Sequence, residues 1–485
     1  MAGRSLQSRQ MRRLALLLVL ALPALARDAA EYRAFWVDTF NSPFANRADV
    51  TRIVDAALAS NANAVFVQVR RRGDAWYLDG KEPLPEVKGF GEPDAQGRPT
   101  YDPLRELIEE AHAHHVEVHA FVIVGAIWRG DKPPRDLSHV FLRHVWNPAT
   151  NAPYTDDRQW ATATNAGTRK FGSDWYLDLG HPEAAAYTVD VLTHLVQQYE
   201  LDGIHLDRIR YPESPGANVG YNAVSLRRFH ARYGGSGKPA PRDRQWSAWR
   251  REQVTNFVRR LYISVKAVRP AVRVSAAVIC YGPGPHASGG FANTDAYSYV
   301  FQDWKSWSEE GLLDLLAPMD YKREHKKKEA AQFDDWSRFT AAVARDAGRI
   351  SIIGIGSYLN TTRGTFAQIR RATGSGADGV LFFSMAAASK SSDFFDLVRS
   401  RLFPVRVPTP ASAAHDGHVM GFAADGDRIT IESLSTHQLR IATADGTGFW
   451  GAVHLPPGPY RATANGKASC FTITAGLVST AATCE

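Results

Sequence analysis

Asp207 closes the run Leu201-Asp202-Gly203-Ile204-His205-Leu206-Asp207, an apolar stretch that ends by presenting an acid. A carboxylate at the C-terminal end of a parallel barrel strand stands where many sugar-cleaving enzymes keep a catalytic group. Side chains alternate along a strand, so residues two apart share a face: His205 with Asp207, Trp36 with Asp38, His119 with Phe121, and Phe66 with Gln68 and Arg70. Several runs thus aim polar groups at one interior, which a purely structural core tolerates only at a cost. The chemistry this suggests is glycosidic-bond hydrolysis, in which one carboxyl protonates the leaving oxygen and a second attacks the sugar or activates water. Asp207 is the first carboxyl. The second is assigned to Asp320 in Ala317-Pro318-Met319-Asp320-Tyr321, although a regular strand that points Met319 and Tyr321 inward turns Asp320 away. Asp38, Asp74, Glu213 and Glu324 are the alternatives, and in a purely structural reading Asp207 only pairs with Arg70 or Arg210. Gln68, Arg70, His119 and Tyr321 are expected to position sugar hydroxyls and acetamides, with Trp128 and other loop tryptophans stacking on sugar rings.

The elements that must position these groups are βα units. Short β-branched or aromatic runs at 33–40, 64–70, 116–124, 203–209, 273–281, 313–321, 350–358 and 379–385 predict eight strands. Between them, amphipathic patterns predict helices over 48–60, 103–114, 182–199, 246–268, 333–346 and 365–373. The expected fold is α/β, a TIM (β/α)8 barrel over residues 31–403. No Gly-rich dinucleotide loop follows the first run, so no nucleotide cofactor is expected, and no Gly-x-Ser-x-Gly elbow offers an esterase nucleophile. The third connection, about 125–178, is long enough to carry function and holds Trp128, Trp146, Trp160, Trp175 and Tyr176. Residues 404–414 read as a linker. From 415 to 485, alternating runs at 428–433, 438–443, 448–453, 458–464 and 468–474 predict a small all-β domain, a sandwich with an accessory role.

At 44% hydrophobic and 22% charged, the composition is globular. Residues 1–26, with Arg12-Arg13 before Leu14 to Leu22 and Ala24-Leu25-Ala26 after it, read as an export signal whose removal leaves no membrane span. Its loss removes Arg4, Arg9, Arg12 and Arg13 and lowers the formal charge from +7 to +3, too little to argue for nucleic acid. Cys470 and Cys484 are expected to be bridged in an oxidising compartment, whereas Cys280, inside an apolar run, reads as a buried thiol. His112, His114 and His115 close a helix at the end of the barrel away from the active loops, so no metal site is expected from them.

Taken together, several segments resemble the bacterial glycosyl-hydrolase-like family ten over about residues 31–402. They are Arg33-Ala34-Phe35-Trp36-Val37-Asp38, Gln68-Val69-Arg70 with Gly73-Asp74-Ala75-Trp76-Tyr77, His119-Ala120-Phe121, Leu177-Asp178-Leu179-Gly180-His181-Pro182, Asp202 to Asp207, Arg210-Tyr211-Pro212, and Gln302-Asp303-Trp304 with Trp307. The resemblance implies a TIM barrel, export to the periplasm or beyond, and hydrolysis of glycan chains, with peptidoglycan strands as the leading substrate. It makes Asp207 the match to the family's strand-four acid and adds Asp38, His205, Arg210, Tyr211 and Trp304 to the expected substrate-binding set. The fourth strand is also similar to the Asp-Gly-x-x-x-Asp-x-x-Glu pattern of chitinase-type barrels. There Ile209 stands in place of the acid Glu, so the substrate-assisted mechanism of those enzymes does not carry over directly. The reading from a different class is a glycan-binding barrel without turnover.

Overall fold

The computed structural model describes residues 30–41, 44–411 and 416–484. The expected export signal at 1–26 lies outside the described residues. Eight parallel strands form the barrel: β1 Tyr32–Val37, β2 Ala64–Arg70, β3 Glu117–Ile123, β4 Gly203–Asp207, β5 Arg273–Val278, β6 Leu315–Pro318, β7 in two halves, Ile350–Ser351 and Ile353–Gly356, and β8 Gly379–Phe383. The sheet closes through β7. Its first half pairs with β6, Leu315 opposite Ile350, and its second half pairs with β8, Ile353 opposite Val380. All eight expected runs are strands. Several end earlier than the apolar pattern suggests; β1, for example, stops at Val37 and the next residues form a loop.

Strand alternation divides the barrel into two apolar layers. Val65, Val67, Val118, Val122, Ile204 and Leu206 face the helices, whereas Trp36, Phe66, Phe121, Ala277, Ala317 and Leu381 fill the lumen. The helices begin at residues suited to capping. The Asn46 side chain accepts the Asp49 N–H before Arg47–Ala59, Asp102 caps Pro103–Ala113, and Asp243 caps Arg244–Val268. The long third connection carries its own small sheet, Ala126–Arg129, Lys170–Phe171 and Asp174–Tyr176, around Phe141, Leu142, Trp160 and Leu177. Trp146, Trp160 and Trp175 therefore serve chiefly to pack that connection.

The C-terminal unit has two sheets over a shared core of Val419, Ile431, Trp450, Tyr460 and Phe471. Strand Gly417–Phe422 was not expected, because glycines weaken the strand signal. Gly421 is there for space: a Cβ would lie 2.5 Å from the Trp450 ring. Cys470 and Cys484 are disulfide-bonded, and Cys280 is buried and free. This unit packs on helix Arg244–Val268, where Ile263 meets Gly451 and Arg260 donates to Thr447. The segment before it crosses the N-terminal end of the barrel, with Asn63 donating to the Val407 carbonyl (3.1 Å) and Arg273 to the Pro410 carbonyl (2.7 Å). Among the described residues, no helix is long and apolar enough to cross a membrane.

Candidate active site

β4 delivers Asp207, partly exposed, to the C-terminal mouth of the barrel. Its Oδ1 accepts the N–H of Arg208 at 2.7 Å. Arg208 has φ 50°, a left-handed conformation that costs a non-glycine residue energy and tends to persist where function needs it. The Arg208 guanidinium leaves Asp207 and pairs with Asp174 at 2.9 Å.

Asp38 follows Trp36 by two residues and reaches the same end. It is 1% exposed; its Oδ1 accepts Asn41 N–H and Nδ2 at 3.0 and 2.8 Å, and its Oδ2 has no hydrogen-bond partner among the described residues. Tyr321 stands near both acids, edge-on to Trp36 (6.1 Å between centroids) and stacked on Phe383 (5.4 Å). Burial pushes the Tyr321 phenol's pKa up, and the neighbouring Asp207, Tyr358 and Asp38 push it further. Gln68 accepts Thr39 N–H and Oγ1–H at 3.0 and 2.6 Å, which ties down the loop after Asp38, and its buried Nε2 is unpartnered.

Beneath this group, Trp36 Nε1 donates to His205 Nε2 at 3.0 Å, which leaves the ring proton on Nδ1 to donate to Ser275 Oγ at 2.8 Å. Burial drives the His205 pKa well down and keeps the ring neutral. His205 is thus a support for Trp36. A third acid lies in the same sector: Glu213 accepts the Tyr281 hydroxyl at 2.6 Å and pairs with Arg210 at 3.0 Å. Burial alone would raise its pKa, but Arg210 and the Tyr281 hydrogen bond outweigh that and lower it.

Other expected site residues lie elsewhere. Asp320 is fully buried on the outer face of its strand, accepting Ser337 Oγ at 3.2 Å from helix Lys327–Asp346. The alternation that brings Tyr321 to the mouth sends Asp320 to the helix layer. Arg70 is also fully buried, gripping both Glu82 oxygens at 2.6 and 2.7 Å and the Val124 carbonyl at 3.2 Å, so it has no open face for a sugar. His119 sits low in the lumen, stacked on Phe66 at 4.2 Å and 3.0 Å from Glu117. Tyr211 donates to buried Asp178 at 3.2 Å, and Trp304 packs under Phe291 with its Nε1 on the Ile279 carbonyl at 3.2 Å. Neither reaches the mouth. Glu324 is held by Arg371 at 3.0 Å, and Asp74 caps the backbone N–H groups of Arg71 and Arg72. Trp128 lines a cavity beside the mouth together with Phe40, Arg71 and Arg72. Phe40, Arg208, Tyr281 and Tyr358 are mouth or rim residues absent from the expected site; each falls in the last residues of an expected strand run but just past the end of the observed strand, which is the signal that could have found them.

Residues 31–358 match the model of the family described as Glycosyl hydrolase-like 10. Glycosyl hydrolase DigH of Escherichia coli strain K12 is 27% identical over 303 residues, covering 61% of this chain and 62% of DigH. Glycosyl hydrolase YngK of Bacillus subtilis strain 168 is 26% identical over 325 residues, covering 62% of this chain and 57% of YngK. The matched part therefore spans less than two thirds of either relative. Among solved structures, the glycoside hydrolase domain of PgaB (BpsB) from Bordetella bronchiseptica superposes with TM-score 0.53 at 14% identity, covering 79% of this chain and 100% of that domain. A β-galactosidase from Rahnella gives 0.50 at 14% identity, covering 82% and 59%. At that identity these two similarities concern the fold alone.

Proposed function

Because the chain belongs to the Glycosyl hydrolase-like 10 family, we propose that it is an exported glycoside hydrolase acting on an N-acetylated glycan, with peptidoglycan strands as the leading substrate. The observation that carries this reading is the presence of two carboxylates at the C-terminal mouth of the barrel: Asp207, partly exposed at the end of β4, and Asp38, buried just past β1 with one oxygen unpartnered among the described residues. One protonates the leaving oxygen and the other attacks the anomeric carbon or activates water. The Tyr321 hydroxyl would hold a hydroxyl or acetamide group, Gln68 would fix the loop that carries Asp38, and the exposed rings of Tyr358 and Phe40 would stack on sugars. Glu213 is the competing second carboxylate, favoured by its pairing with Arg210, which keeps it ionised. Export to the periplasm or medium is supported by the leader-like residues 1–26 and by the Cys470–Cys484 disulfide, at home in an oxidising compartment. The test is to incubate the purified protein with denuded peptidoglycan strands and with chitin oligomers. New reducing ends are expected from at least one. Tight binding with no new ends from any glycan would make the barrel a glycan-binding protein instead.

A further inference from the structure

Beside the mouth, the loops after β1, β2 and β3 enclose a cavity of about 260 Å³ that the carboxyl pair does not use. This is below the roughly 300–1,000 Å³ of drug-sized sites and suits a single sugar residue. Two aromatic side chains line it, Phe40, which is 46% exposed, and the partly exposed Trp128. The guanidinium groups of Arg71 and Arg72 lie 5.3 and 5.0 Å from the Phe40 ring centroid, and Arg129 adds a third cation.

These arginines are under-partnered. The Arg71 guanidinium, 5.0 Å from the Trp76 ring centroid, makes one hydrogen bond, to the Thr39 carbonyl at 3.5 Å; among the described residues its buried Nε has no partner and neither it nor Arg129 forms an ion pair. Arg72, 4% exposed, shares Asp174 with Arg208 (3.2 and 2.9 Å) and also leaves its Nε unpartnered. Burial lowers the Arg72 pKa; Asp174 opposes this, and Arg208 and Arg129 add to it. The acids lining the cavity are already engaged. Asp74 accepts the N–H groups of Arg71 and Arg72 (3.0 and 2.9 Å), Glu86 that of Arg135 (2.5 Å), and Asp136 that of Ser138 (2.8 Å).

We propose that this cavity is a subsite for a pyranose carrying a carboxylate, its ring against Phe40 and Trp128 and its carboxylate on Arg71 and Arg129. Guanidinium and carboxylate match as charge-assisted, bidentate partners. The three lining acids balance the three lining arginines, so the cavity suits a singly charged group held by the two arginines that lack ion pairs better than dianionic phosphate. The cavity adjoins the carboxyl pair through the chain itself, since Phe40 shares the loop of Asp38 and Arg208 follows Asp207. The proposal rests on the glycosidase reading and adds that the sugar beside the cleaved bond is acidic.

Binding of the full chain with Asp207→Asn would be measured by calorimetry. The ligands are denuded peptidoglycan strands, whose alternate sugars bear a carboxylate, and the same strands with those carboxylates capped as methylamides. One charge-assisted contact corresponds to about tenfold tighter binding of the acid strands. Arg71→Gln and, separately, Arg129→Gln, at the exposed end of its strand where folding is not at stake, should remove that preference and leave the capped strands bound as before. Equal affinity for both strands before either arginine is changed, or equal weakening of both by the Arg variants, would overturn the subsite. So would loss of the preference in millimolar inorganic phosphate but not in acetate, which would assign the cavity to phosphate. Failure of the glycosidase reading shows separately, as an intact preference for acid strands with no new reducing ends from the unsubstituted protein.

Discussion

One barrel holds two polar clusters, at opposite ends of its lumen. At the base, Glu117 accepts from the Tyr32 hydroxyl at 2.8 Å, His119 Nε2 at 3.0 Å, Arg273 Nη1 at 3.2 Å and Thr409 Oγ1 at 2.5 Å. Both of its oxygens are occupied, and the segment before the β unit closes over it. At the mouth, Asp38 Oδ2 and Gln68 Nε2 lack partners and the residue after Asp207 is held left-handed. The difference teaches that polar side chains in a lumen are not themselves a sign of catalysis. At the base the carboxylate is saturated and ties strands together, although His119 Nδ1 is left without a partner, whereas at the mouth it is a carboxylate oxygen beside a strained backbone that is left to await a ligand.

The sharpest way to break this contrast is Asp207→Asn. It should lower kcat on the cleaved glycan by about 10³- to 10⁴-fold with melting temperature unchanged; near-full activity, read as reducing ends, would remove the mouth from the chemistry.

At the base the effect should fall on stability instead. Burial opposes ionisation of Glu117, but His119 and Arg273 prevail and hold its pKa at about 2 against an ordinary 4.5. A depressed carboxyl contributes stability that is whole above pH 4.5 and is lost as pH falls from 4.5 to 2, about 3 kcal/mol in all. Denaturant unfolding at several pH values should detect that loss, and Glu117→Gln should flatten it while the folded fraction keeps its kcat.

Within the mouth, Asp38→Asn should cost about 10²-fold in kcat and Glu213→Gln about tenfold or less, the size of a general acid–base contribution against that of a positioning group. The reverse order would make Glu213 the partner of Asp207. The smallest effect is expected at Asp320→Asn. That side chain faces the helix layer, where burial raises its pKa well above the ordinary value despite Lys322, and an amide of the same shape can still accept from Ser337. Steady-state kinetics should show kcat within about twofold.

Much of the fold was legible without coordinates. Eight β-branched runs with helical patterns between them suffice for a closed α/β barrel, since each run carries its own alternation. Asp207 was legible for the same reason, as the last residue of such a run. The chain's own warning about Asp320, flanked by Met319 and Tyr321, proved to be its placement. Arg70 was not legible: its parity points inward with Gln68, but a register irregularity between β2 and β3 follows Gln68, and Glu82, twelve residues on, takes its guanidinium. His119 shares a face with Phe121 yet stands a layer lower, beside Glu117. Tyr211 and Trp304 were expected on resemblance, and helix packing claims both.

The amino-acid sequence by itself determined which runs form strands, which residues alternate on one face of each, and that an acid stands near the end of the fourth. Those are local properties, set by backbone geometry within a few residues. Only the tertiary structure decided that Asp38 rather than Asp320 shares the mouth with Asp207, and that Glu117 and His119 are sealed beneath it. Depth in a barrel, and whether a polar atom finds a partner, depend on the stagger between strands and on segments hundreds of residues away, such as Thr409 on Glu117.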